Sequence, residues 1–97
     1  MPFKGFLIGN NVSMIITLEQ FLRLTSIQQV ELIFDQGKEV GSRIYLFYNI
    51  RLYLLFDFFI EVWYMQTTNR IENIIHLETS DVLDIYEKQI RLDNLFN

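Results

Sequence analysis

Glu61 is the residue whose type and setting first suggest chemistry. It stands between Ile60 and Val62 in the run FFIEVWY. A carboxylate among apolar neighbours can serve as a general acid with a raised pKa. Such an acid also needs a pocket and a second group. Arg51 is the candidate second group, in a site between sheet and helix. The simpler reading is structural: Glu61 pairs with a basic residue of a neighbouring strand, Arg51 or Arg43. His76 is the only histidine. One imidazole builds neither a catalytic triad nor a zinc site, and its place between Glu72 and Glu78 reads as a solvent-facing side. Glu78, Asp81 and Asp84 lack the alternating oxygen ligands and central glycine of a calcium loop. They suit the positive end of a helix instead. Gly37 and Gly41 bracket GKEVG, which leads into a strand and lacks the Gly-Lys-Ser/Thr of a phosphate loop. Gly37 reads as a left-handed helix stop, and Gly41 as a bulge or a close backbone approach. No residue is assigned a catalytic, cofactor-binding or metal-binding role, and the expectation is a protein that is not an enzyme and needs no cofactor.

Composition narrows the function classes further. The chain has 97 residues and no cysteine, which removes disulfides, thiol nucleophiles and thiolate metal sites together. That usage fits a reducing cytoplasm. The net charge of −4 opposes nucleic-acid binding, which depends on neutralising phosphates. Residues 57–97 hold eight acids against three bases, so the C-terminal half is acidic. Nine Phe, five Tyr and one Trp are a heavy aromatic load for an interior of this size.

The apolar run from Ile44 to Met65 has the length of a membrane span, but Arg51, Asp57 and Glu61 interrupt it. Each charge would cost about 2.5–3.5 kcal/mol near a helix centre. A strand pair turning near Asp57 accounts for them at lower cost, so no membrane partner is expected. Residues 1–16 lack the long apolar core and cleavage site of a signal peptide. They read as an N-terminal extension, with Met14 as a candidate start and residues 17–97 as one domain.

The elements that would position these groups follow from periodicity. Thr17 with Gln20 forms a capping-box spacing ahead of a short helix over 18–24. Ser26 with Gln29 repeats the signal before a second helix over 27–36. From Val40 the period becomes that of strands: 40–47, 50–56, 58–66 and, after the turn signal TTN, 70–78. Phe56-Asp57 lacks the glycine or asparagine that a two-residue hairpin prefers, so register there is open. In the third strand Phe58, Ile60, Val62 and Tyr64 read as the core face, and Phe59, Glu61, Trp63 and Met65 as the outer face. In the fourth, Ile71, Ile75 and Leu77 read as inward. Thr79-Ser80-Asp81 caps a final helix with Val82, Ile85, Tyr86 and Ile90 on its apolar stripe.

Gly37, Gly41 and Arg43 at the helix exit, and Ile60 to Tyr64 in the strand, resemble the motifs of a family of small bacterial proteins. That resemblance spans about residues 17–95. It implies a helix, an antiparallel aromatic meander and a closing helix, and it implies no activity.

The expected fold is α+β: two short helices, a four-stranded antiparallel meander and a C-terminal helix, with the helices on one face of the sheet. The other face must then carry the surplus aromatics, with Tyr45, Phe47, Tyr53 and Trp63 as candidate partner-binding residues. An exposed apolar patch of that kind marks an interaction site. The expected partner is a protein, most simply a second copy in a twofold dimer. The alternative is a small regulatory or inhibitory protein, like an immunity protein or antitoxin, using its acidic C-terminal half on a basic target.

Overall fold

Thr17 opens the first helix as its spacing implies. In the computed structural model, which describes residues 15–89, its Oγ1 accepts from the Gln20 N–H and its N–H donates to Gln20 Oε1. The helix, α1, runs Leu18–Leu22, and α2 follows over Ser26–Gln36. The second capping box falls one residue earlier than expected, on Thr25 and Gln28. Gln29 is engaged elsewhere, its side-chain amide donating to the Phe21 carbonyl at 3.0 Å and tying α2 to α1. Gly37 is extended, with φ −79°, not left-handed. Glycine is needed there for space: a Cβ would stand 2.5 Å from the Ile33 carbonyl oxygen, which accepts the Gly37 N–H.

Four strands follow, β1 Lys38–Tyr45, β2 Tyr48–Leu55, β3 Phe58–Met65 and β4 Ile71–Leu77, then α3 Thr79–Tyr86. The sheet is an antiparallel meander in chain order. Leu46 and Phe56 make the first two turns with φ of 52° and 57°, a region that costs a residue with a Cβ about 1–2 kcal/mol. The Phe56 ring packs edge-on to Phe58, with centroids 6.3 Å apart, which offsets part of that cost. The β2–β3 register is thereby fixed: Leu55 faces Phe58 and the pairing continues unbroken to Tyr48 and Met65.

The helices occupy both faces, which corrects the single-face expectation. Phe21, Leu32 and Ile33 of α1 and α2 share a buried cluster with Leu55, Phe58, Ile60 and Val62. Leu52 and Phe59 of the opposite face are buried with Val82 and Tyr86 of α3. The α1/α2 cluster also contains Ile16, so packing begins ahead of Thr17. The remaining expectations for the N-terminal extension, and the place of Ile90 on the last apolar stripe, lie outside the described residues. On α3 the stripe narrows to Val82 and Tyr86, because Ile85 is exposed. Glu78 is its N-cap and makes no side-chain cap bond.

Both outer strands carry an extra residue, Val40 in β1 and Glu72 in β4. The bulge at Glu72 breaks the expected β4 alternation. Ile71 and Ile74 pack on the α1/α2 cluster, while Leu77 packs on the α3 cluster. His76 pairs with Ile60 and is half-buried, not fully solvent-facing.

Candidate interaction surface

Glu61 explains why the second face could be covered. It is 1% exposed, and a buried carboxylate is tolerable only when its oxygens are satisfied. Tyr86 donates its hydroxyl to Oε2 at 2.6 Å. Arg43 donates from Nε to Oε2 at 3.0 Å and from Nη2 to Oε1 at 3.3 Å. Trp63 donates its indole N–H to Oε1 at 3.0 Å. Of the two structural partners expected, Arg43 is therefore the one used. Burial opposes the charge on Arg43, but Glu61 outweighs it and the guanidinium pKa rises. Gly41 makes the arrangement possible: a Cβ there would approach the Tyr86 ring to 3.0 Å.

Arg51 is not part of this cluster. It lies on the α1/α2 face, opposite Val62, and pairs with Glu39 at 3.1 Å. The structure therefore does not bring together the two groups considered for an acid–base site.

Toward the other end of the α3-bearing face the sheet is uncovered by α3. Tyr45, Tyr48 and Trp63 meet there. The Trp63 ring stands edge-on to Tyr48 at 5.2 Å and to Tyr45 at 6.1 Å. The Arg43 guanidinium lies 5.4 Å from the Trp63 ring and 5.8 Å from Tyr45, within cation–π range. The rings form a braced platform, since Trp63 is fixed by Glu61 and Arg43 is fixed by the same carboxylate. The adjoining turn presents Leu46 and Phe47, 68% and 69% exposed. The turn after β3 is tied to it, the Gln66 N–H donating to the Phe47 carbonyl at 2.9 Å. Glu72, the bulge residue of β4 beside Trp63 and Tyr64, lies at this end, and residues 42–50 and 62–71 add no further Asp or Glu. Asp57, Glu78 and Asp81 lie at the opposite end, with the β2–β3 turn and the start of α3.

Of the four candidate residues, Tyr45 and Trp63 touch and Phe47 adjoins them at the turn. Tyr53 is misplaced by the sequence reading. It faces α2, where its ring lies 6.1 Å from Phe34. Sequence reasoning named Arg43 as a partner for Glu61 but placed neither it nor Tyr48 nor Leu46 on this surface. A fixed β1–β2 register would have found Tyr48 and Arg43, because Tyr45 pairs with Tyr48 and Arg43 with Ile50.

Comparison with known proteins gives no match to any family model, curated protein or solved structure. The resemblance noted above gains no support there, so function rests on this geometry. Among the described residues no helix is long and apolar enough to cross a membrane.

Proposed function

We propose that this chain is a non-enzymatic protein-interaction module that associates with a second copy of itself through the aromatic end of its α3-bearing face. The observation that carries the reading is the exposed set of Tyr45, Leu46 and Phe47 around a Trp63 held in place by Glu61. Tyr, Trp and Arg are the residues that dominate interface energetics. Rings already fixed in place lose little further freedom on binding. The sheet edges are poorer candidates. Bulges and charges blunt both outer strands, as natural sheets do to avoid lateral pairing.

Analytical ultracentrifugation tests this. The full chain should show a concentration-dependent dimer. Leu46→Asp with Phe47→Asp, both on an exposed turn, should weaken dimerisation at least about tenfold and leave the fold intact. Phe34→Ser, on the other side of the sheet, should leave dimerisation unchanged. A clean monomer at high micromolar concentration would overturn the reading.

A further inference from the structure

We propose that Gln89 is a strand mimic: its carboxamide occupies a strand-addition site on the outer edge of β1 and keeps that edge from pairing with β1 of a second copy. This contact is separate from the aromatic surface proposed above and does not depend on it.

The geometry at Ser42 carries it. Gln89 Nε2 donates to the Ser42 carbonyl at 2.7 Å, and Gln89 Oε1 accepts the Ser42 N–H at 3.1 Å. Among the described residues β1 pairs with a strand on one side only, with β2. The two Ser42 groups therefore point away from the sheet. An antiparallel neighbour satisfies such a residue with the same two bonds, one given and one taken. A primary amide carries the donor and the acceptor of a peptide group, so Gln89 fills the place of one residue of a fifth strand. Its position is set by α3. The Gln89 N–H donates to the Tyr86 carbonyl at 2.8 Å, and the Tyr86 hydroxyl is bonded to Glu61.

The sequence of β1 points to the occupant. Ile44 lies two residues beyond Ser42 and is 71% exposed. By the strand period it turns its own N–H and carbonyl outward as Ser42 does. The bulge at Val40 ends the regular stretch on the other side. Antiparallel pairing of two copies centred on Ser42 sets Arg43 opposite Gly41 and Ile44 opposite Val40. Like charges, which destabilise a strand pair when directly opposed, meet nowhere in that stretch. Gln89 and a second copy would use the same two backbone groups, so the copy can enter only when Gln89 leaves. Covering an edge in this way is one means by which sheets avoid lateral pairing.

Gln89 is exposed on the turn after α3, so Gln89→Ala should keep the fold. The comparison is made in full chains carrying Leu46→Asp and Phe47→Asp, which removes association through the aromatic surface. A site filled by its own chain in about nine of ten molecules weakens a competitor about tenfold, so Gln89→Ala should tighten association about tenfold in ultracentrifugation. Ile44→Pro removes an outward donor and spares the bonds to β2; it should abolish the gain. The absence of cysteine allows a second measurement. Pairing centred on Ser42 places the two copies of that residue about 5.5 Å apart, within disulfide reach. Ser42→Cys chains should therefore link on oxidation, and faster with Gln89→Ala than with the natural Gln89. Equal association and equal linking with and without Gln89→Ala would overturn the proposal. So would a gain that survives Ile44→Pro, because it would arise elsewhere on the molecule. Ser42 and Ile44 amides protected from exchange in dilute Gln89→Ala monomer would also overturn it, by placing a segment of the same chain on the edge.

Discussion

The Tyr86 hydroxyl donates to Glu61 Oε2 at 2.6 Å across the interface between α3 and β3. This bond attaches the last helix to the sheet and helps make the burial of a charge acceptable. Tyr86→Phe leaves the carboxylate with Arg43 and Trp63 but removes a hydrogen bond to a charged group, an expected loss of about 1.5–3 kcal/mol. Glu61→Ala strands Tyr86, Arg43 and the Trp63 indole N–H and should cost about 3–5 kcal/mol. Urea unfolding would show both as lower midpoints at an unchanged slope. A Tyr86→Phe midpoint equal to that of the natural chain would mean that the bond contributes nothing.

Alkaline pH should unfold the domain through its tyrosines. Burial, with Tyr64 and Glu39 close by, pushes Tyr53 up to about 12. Burial and the Glu61 carboxylate push Tyr86 up as well. Both folded-state values lie above the ordinary 10.0, so the folded state holds these protons longer than the unfolded one. Their contribution is full below pH 10 and is lost as pH rises toward and through about 12. Stability measured by denaturant should fall over that window, and tyrosinate absorbance should report a subset of rings that ionises late. Tyr86→Phe should flatten the fall. A stability constant across the window would contradict the assignment.

The two glycines at the start of the sheet should respond unequally to alanine. At Gly41 the added methyl meets the Tyr86 ring at 3.0 Å, and a side chain can give way. Overpacking of that kind costs about 1–3 kcal/mol. At Gly37 the methyl meets a backbone oxygen at 2.5 Å, inside a bonded helix end that cannot yield without breaking the Gly37–Ile33 bond. Thermal melts should rank Gly37→Ala below Gly41→Ala. The reverse order would show that the helix exit is more adjustable than its geometry implies.

Element type and order were legible in the sequence, because capping and period are local properties. Thr17 with Gln20 marked the first helix, and the change of period from Val40 marked the sheet, whose first strand begins two residues earlier, at Lys38. The Thr25–Gln28 box was missed by one residue, since Ser26 and Gln29 offer the same spacing and only the contact of Gln29 with Phe21 separates the two. Faces were harder to read. Glu61 made one side of β3 look solvated, and its burial depends on Arg43, distant in sequence, and on Tyr86. A clue was present in Phe59, Val82 and Tyr86, which need an apolar counterpart that a one-sided sheet cannot provide. Tyr53 was grouped with Trp63 because strand parity depends on register, and the turn at Phe56 lacks the residues that announce one. The surface was therefore legible as an excess of aromatic rings, and its location was not.

Because the sheet stands as a partition, the molecule has two separate interiors. Among the described residues, one holds a cluster of eight buried apolar residues under two helices, and the other a cluster of four, with the buried Glu61 and Ile50 beside it, under a single short helix. Cooperative units with less burial open at lower free energy. The smaller compartment can therefore come apart while the larger stays closed. Such an event would release Tyr86 and bare the Glu61 carboxylate, loosening the support beneath Trp63 without unfolding the chain.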